Sequence, residues 1–286
     1  MESSELAQRL ADRYLPTIMN HFGWLGLRDA QGQVMASGTA TFIDIDGHKL
    51  IVTADHVAAQ LTTDTGEVSL LITSPNIVFS EAIFRIDPQD RILLPHGASL
   101  DVAVFQAPRD LASVPYLRWI EASAQIRAVE FLRSEYQREA LPFLLFITGF
   151  PNFARATDPA RRIQLVANFQ CWGYLRQVID TPSILFSAGT PAPQIIFEIE
   201  LPTQADLPDE ASALIRAFAH ATLHAQSAGD REPMGGYSGA PVFYLSPDAY
   251  YLIGITKEGR NELAGRMFAT KINDIVQEIQ DSHVLG

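Results

Sequence analysis

Three short segments carry side chains able to do nucleophilic chemistry. In Gly236-Tyr237-Ser238-Gly239-Ala240-Pro241, between a loop and a β-run, two glycines bracket one serine. Glycines let the backbone turn sharply enough for the serine oxygen to project and for neighbouring N–H groups to converge, so a nucleophile and an oxyanion hole can share such a turn. The same residues also make ordinary turns. A serine nucleophile needs a base, and Thr53-Ala54-Asp55-His56-Val57 puts a histidine just after the β-run 49–53. A lone histidine beside an apolar strand is also commonly a packed or surface residue. An acid to orient the imidazole is offered by Asp101, which opens the apolar run Asp101-Val102-Ala103-Val104-Phe105. An aspartate there is otherwise a common strand-start or turn residue.

What lifts the three above their separate bland readings is their order, His, Asp, Ser, and their contexts. The chain resembles the trypsin-like, chymotrypsin-fold serine peptidases. Thr53-Ala54-Asp55-His56 corresponds to that family's Thr-Ala-x-His block, Asp101-Val102-Ala103-Val104 to its Asp block with alternating apolar residues, and 236–241 to its Gly-x-Ser-Gly-x-Pro block. His56 precedes Asp101 by 45 residues and Asp101 precedes Ser238 by 137, intervals that suit crossing a first barrel and most of a second. Gly38–Phe42, Thr148–Pro151 and Leu252–Thr256 match lesser landmarks, and the resemblance covers roughly residues 34 to 272.

The resemblance implies that Ser238 attacks a scissile carbonyl, that His56 takes and returns the proton, and that Asp101 fixes the imidazole tautomer. The backbone amides of Gly236 and Ser238 would form the oxyanion hole, and Thr256 would line the substrate cleft. No metal or organic cofactor is implied. Glu232, six residues before the serine, stands where trypsin keeps the acid that selects Lys or Arg; it reads equally as part of a solvated Asp230-Arg231-Glu232 loop. Tyr237 replaces the aspartate that pairs with a newly cut N-terminus in zymogen-activated members. In this respect the chain is similar to bacterial Deg/HtrA-type peptidases, although the stretch after residue 272 is too short for their C-terminal peptide-binding domain. Ala40 and Ala240 stand where many members carry glycine.

The elements that must position these residues are legible as periodicity. Leu6, Leu10, Tyr14, Leu15, Ile18 and Phe22 recur at helical spacing, predicting an amphipathic N-terminal extension over 1–30. Short β-rich runs separated by turn residues predict a first β-barrel over 31–107, carrying His56 and Asp101. A proline-bearing connector over 108–141 leads to a second barrel over 142–272, carrying Ser238, and a short helix over 273–286. The expected fold is mainly β, two six-stranded antiparallel barrels of the chymotrypsin type. Between 206 and 229, Ala211, Leu214, Ile215, Phe218, Thr222 and Ala225 return to helical spacing, with Pro208 near the start and Gly229 after the end. This inserted helix reads either as an elaboration packed on the barrel or as a lid. His220 and His224 on it lack a third ligand and read as surface residues rather than a zinc site.

Composition excludes other classes. The 286 residues, 47% hydrophobic and 19% charged, can bury a sizeable core. With 21 Lys and Arg against 33 Asp and Glu, the net charge of −12 repels phosphate backbones and anionic lipid, so neither nucleic acid nor membrane is an expected partner. The single Cys171 rules out an intrachain disulfide framework. Residues 1–20 lack a signal-peptide pattern, which makes the cytoplasm the expected location. The expected partners are a protein or peptide substrate and a regulatory protein, as would suit a bacterial regulatory or defence system. The rival is a catalytically silent scaffold that binds a partner; an α/β-hydrolase is disfavoured because that fold orders its triad Ser, acid, His.

Overall fold

Alternation of side chains across paired strands explains the first half of the molecule. The computed structural model describes residues 3–28, 34–61, 67–71, 83–115, 117–128, 144–150, 155–158, 163–166, 169–179, 194–200, 236–260 and 266–282. Strands β1 (Phe22–Arg28), β2 (Val34–Ile45), β3 (His48–Thr53), β4 (Glu67–Leu71), β5 (Ile83–Arg85), β6 (Arg91–Ile92) and β7 (Ala103–Gln106) pair in the order β5-β4-β1-β2-β3-β7-β6. Phe22, Trp24, Ile43, Ile45, Leu50, Val52 and Val104 enter one buried cluster. Their neighbours Leu25, Phe42, Ile51, Ala103 and Phe105 enter another. Successive residues point to opposite faces, so this sheet is buried on both.

Helix α2 (Asp55–Leu61) covers the second of these faces with Val57 and Ala58, joined by Ala54 just before it and by Leu111 and Leu117 of the connector. The first face is shared with the other half of the chain, where Phe146, Phe150, Phe243, Leu252, Ile255, Ile272, Ile275 and Ile279 join the same cluster. A fully buried Phe or Leu contributes roughly 1.5–3 kcal/mol, so this common core is the main force holding the two halves against each other.

In that second half β9 (Leu144–Gly149), β12 (Phe169–Ile179), β13 (Gln194–Glu200), β14 (Pro241–Leu245), β15 (Tyr250–Arg260) and β16 (Arg266–Lys271) pair in the closed order β12-β13-β16-β15-β14-β9. A separate hairpin joins β10 (Arg155–Asp158) to β11 (Ile163–Val166). The first sheet differs from the expectation of two six-stranded antiparallel barrels. It has eight strands, its described ends β5 and β6 do not pair, and one strand is parallel: β8 (Ile120–Glu121), from the connector, lies along β2. The connector thus contributes to the sheet it leaves.

The N-terminal helix α1 (Ser3–Ile18) buries Leu10, Tyr14 and Ile18, one residue per turn. It ends at Ile18, four residues before Phe22, the last residue of the helical periodicity. The N–H groups of Asn20 and His21 bond the carbonyls of Thr17 and Ile18 in a tight closing turn, and Phe22 opens β1 instead. Gly23 and Gly26 disfavour helix, while Phe22 and Trp24 supply the two-residue period of a strand. At this junction His21 bridges the halves: Nδ1 lies 2.9 Å from the Arg118 carbonyl and Nε2 2.8 Å from the Tyr250 hydroxyl. A carbonyl only accepts, so Nδ1 carries the proton and Nε2 accepts from Tyr250. Burial lowers the His21 pKa to about 4.

Residues 206–229, where the inserted helix was expected, lie outside the described residues. The short helix expected after 272 is present as Ile272–Asp281. Among the described residues no helix is long and apolar enough to cross a membrane.

Candidate active site

His56 is the second residue of α2, and the first N–H groups of a helix have no partner within it. Asp101 supplies one. Its Oδ1 accepts from the His56 backbone N–H at 3.0 Å, while His56 Nδ1 lies 3.0 Å from Oδ1 and 2.9 Å from Oδ2. One carboxylate therefore fixes both the backbone and the ring. With Nδ1–H donating to Asp101, Nε2 presents a lone pair, and it stands 3.0 Å from Ser238 Oγ. Asp101 reaches this position through an unusual backbone: it follows the one-turn helix α3 (Gly97–Leu100) in the left-handed conformation, φ 54° and ψ 49°. Asp and Asn tolerate that region better than most side chains.

The serine turn is held from both halves of the molecule. Gly236 and Gly239 flank Ser238 with φ of 94° and 88°, and the Ala240 N–H donates to the Tyr237 carbonyl at 2.7 Å. From β2, the Thr39 N–H donates to the Ser238 carbonyl at 2.9 Å, Thr39 Oγ1 to the Gly236 carbonyl at 2.9 Å, and Thr41 Oγ1 to the Gly239 carbonyl at 2.8 Å. From β15, the Thr256 carbonyl accepts from the Gly239 N–H at 2.8 Å. Thus the serine belongs to the second half by sequence and is anchored to the first by two threonines. Among the described residues, neither the Gly236 nor the Ser238 backbone N–H has an acceptor. Such N–H groups are what an oxyanion requires.

The arrangement brings together His56, Asp101 and Ser238. Their environment is open on one side, the His56 side chain being 44% exposed and that of Asp101 21%. Thr256 is placed otherwise than expected. It is buried, its hydroxyl donates to the Tyr237 carbonyl and accepts from the Ala240 N–H, and its backbone N–H and carbonyl bond Ala240 and Gly239. These groups support the turn rather than face a substrate. Glu232 lies outside the described residues. Tyr237, beside the serine, is buried.

Several partners of the site are silent in the sequence. Lys257 offers its backbone carbonyl to Ser238 Oγ at 2.9 Å, and Asp55, beside His56, pairs with Arg91 of β6. Thr39 and Thr41 look like any other β-branched strand residues, and only the matching Gly38–Phe42 segment hinted at them. Among the described residues no group of three or more His, Cys, Asp or Glu is placed to hold a metal ion.

No family model matches the chain, and no curated protein matches it. Solved structures do. The Rv3671c protease from M. tuberculosis, in its active form, is 11% identical with a TM-score of 0.52, covering 99% of this chain and 87% of that one. Its inactive form gives 11%, 0.51, 99% and 97%. A thermostable serine protease, AL20, from an extremophilic microorganism is 12% identical with a TM-score of 0.50, covering 92% of this chain and 96% of that one. The chain has a trypsin-like serine-protease fold.

Proposed function

We propose that this protein is a serine endopeptidase acting through Ser238, His56 and Asp101. The observation that carries the reading is the continuous contact from Asp101 through His56 to Ser238 at 2.9 and 3.0 Å, built from residues far apart in the chain. The Ser238 hydroxyl proton passes to His56 Nε2 as Oγ bonds the substrate carbonyl carbon, and the carbonyl oxygen becomes an oxyanion facing the N–H groups of Gly236 and Ser238. The imidazolium, held by Asp101, gives its proton to the leaving nitrogen as the C–N bond breaks, leaving an acyl-enzyme. Water then loses a proton to His56, its oxygen attacks the acyl carbon, and the proton returns to Ser238 Oγ as the second product leaves.

The reading extends to regulation. The Ser238 hydroxyl has a second acceptor in the Lys257 carbonyl, which favours a resting state that a partner or substrate shifts. The buried Tyr237 supports an enzyme that needs no N-terminal cut, in the manner of Deg/HtrA-type peptidases. A preference for Lys or Arg rests on Glu232 alone, and comparing Arg-, Phe- and Ala-terminated substrates tests it.

The deciding experiment is reaction of the purified protein with a fluorophosphonate probe, read by intact mass, with Ser238→Ala and His56→Ala as controls. Stoichiometric labelling that requires both residues is the expected result. Labelling elsewhere, or none with or without candidate partners, sinks the peptidase reading in favour of a partner-binding scaffold.

A further inference from the structure

Asp101 lies in the first half of the chain, yet both ends of the turn that delivers it are fastened by the second half. Helix α3 is a single turn of four residues, too short to hold itself. At its start the Glu278 carboxylate of the C-terminal helix takes two contacts from His96: Oε2 accepts from the backbone N–H at 2.8 Å, and Oε1 lies 2.8 Å from Nδ1. At its end Thr270 Oγ1 of β16 donates to the Leu100 carbonyl at 2.7 Å, fully buried. Leu100 and Val102, either side of Asp101, pack into the same core as Ile272, Ile275 and Ile279.

Between these anchors Asp101 holds a left-handed backbone that non-glycine residues rarely keep without support. A turn freed at either end relaxes first at that residue, and relaxation there swings the carboxylate away from His56 Nδ1. We propose that Glu278 and Thr270 are positioning residues for Asp101: the second half of the molecule both carries the nucleophile and sets the acid that orients its base. The proposal rests on reading Asp101 as the acid of the triad. It assigns the C-terminal helix a part in the active site without contact to any reacting atom.

Four variants test it: Thr270→Val and Glu278→Ala, which remove the anchors, and Thr270→Ser and Glu278→Gln, which keep them. A glutamine at 278 still accepts from the His96 N–H and donates to Nδ1. Each is followed by fluorophosphonate inactivation rate, thermal melting and the 15N spectrum of the His56 ring, which reads the Nδ1 proton held against Asp101 whether or not the protein is an enzyme. In the first pair inactivation slows by about five- to tenfold, the rate equivalent of one hydrogen bond, and the His56 ring resonances shift. In the conservative pair both readouts stay at wild type. Wild-type rates and spectra in Thr270→Val and Glu278→Ala overturn the proposal, as does equal slowing in all four with His56 unchanged. If the wild type takes no label at all the peptidase reading falls, and the His56 spectrum still decides the positioning role.

Discussion

Ser238 Oγ lies 2.9 Å from the carbonyl oxygen of Lys257, and Lys257 is the extra residue of a β-bulge. Pairing of β15 with β16 passes from Thr256 opposite Ala269 to Glu258 opposite Phe268, leaving Lys257 unopposed. A bulge frees a residue from the ladder and re-aims it, and bulges gather beside active sites. Here one hydroxyl proton has two acceptors, the Lys257 carbonyl at 2.9 Å and His56 Nε2 at 3.0 Å. Only donation to His56 leads to proton transfer. The carbonyl holds the hydroxyl in place when the imidazole is charged or displaced.

Removing the base therefore leaves a positioned but unactivated serine. His56→Ala is expected to slow fluorophosphonate labelling by ~10²- to 10⁴-fold, the usual worth of general-base catalysis, without lowering thermal stability. Ser238→Ala takes no label. Because the His56 side chain is 44% exposed, free imidazole reaches the vacated space and restores part of the rate. A time course by intact mass, with and without imidazole, checks this; wild-type labelling of His56→Ala would show that the ring does not activate Ser238.

Two glycines with nearly the same backbone separate steric from conformational cost. Gly239, φ 88°, would place a Cβ 2.0 Å from the Thr39 carbonyl oxygen, whereas Gly47, φ 87°, has nothing within 4 Å. Gly47→Ala bears only the left-handed strain, about 1–2 kcal/mol. Gly239→Ala must also move β2 away from the serine turn and is expected to cost more than ~3 kcal/mol and to abolish labelling. Urea denaturation of both variants reads the difference directly. Equal losses would mean that the turn is not packed against Thr39.

How much was legible in the sequence depends on how local each signal is. His56, Asp101 and Ser238 sit in short motifs whose order and spacing carry meaning, and the structure brings all three into contact. Strand alternation likewise marks the run 49–53, within a residue of β3 (His48–Thr53). The anchors were not legible. Thr39, Thr41, Thr270 and Glu278 act through contacts between chain segments far apart in sequence, and apart from the Gly38–Phe42 match nothing local distinguishes them from residues that merely suit a strand or a helix surface. The eight-stranded first sheet was missed for the same reason: β1 hides behind a helical period that Phe22 extends, and β8 is two residues long.

Acid should weaken the junction between the halves through His21. Its folded-state pKa of about 4 lies below the ordinary 6.5 because burial opposes the charged ring. Between those values the unfolded chain binds the proton and the folded chain does not, so stability rises with pH across this window. The contribution is fully present above about pH 6.5 and is lost as pH falls to about 4, a change of about 3 kcal/mol. Exchange by His21→Gln removes this increment but leaves the carboxylate titrations. The stability gap between wild type and variant should therefore shrink from about pH 7 to about pH 4 in urea denaturation. A gap that stays constant would mean that His21 titrates normally in the folded protein.

Thr256 offers the cleanest separation of turn support from substrate contact. Its N–H donates to the Ala240 carbonyl at 2.9 Å, its carbonyl accepts from the Gly239 N–H at 2.8 Å, and its hydroxyl joins Tyr237 to Ala240. Valine has the same shape and no hydroxyl, so Thr256→Val leaves a buried carbonyl short of a donor at about 1–3 kcal/mol. Labelling of Ser238 should slow as the turn loosens, and Thr256→Ser, which keeps the hydroxyl, should restore both rate and stability. Because these polar groups face the turn, the relative rates on Arg-, Phe- and Ala-terminated substrates should not change. Unchanged stability with altered substrate preference would instead return Thr256 to the role that its strand, Leu252–Thr256, suggested from sequence: a wall of the cleft.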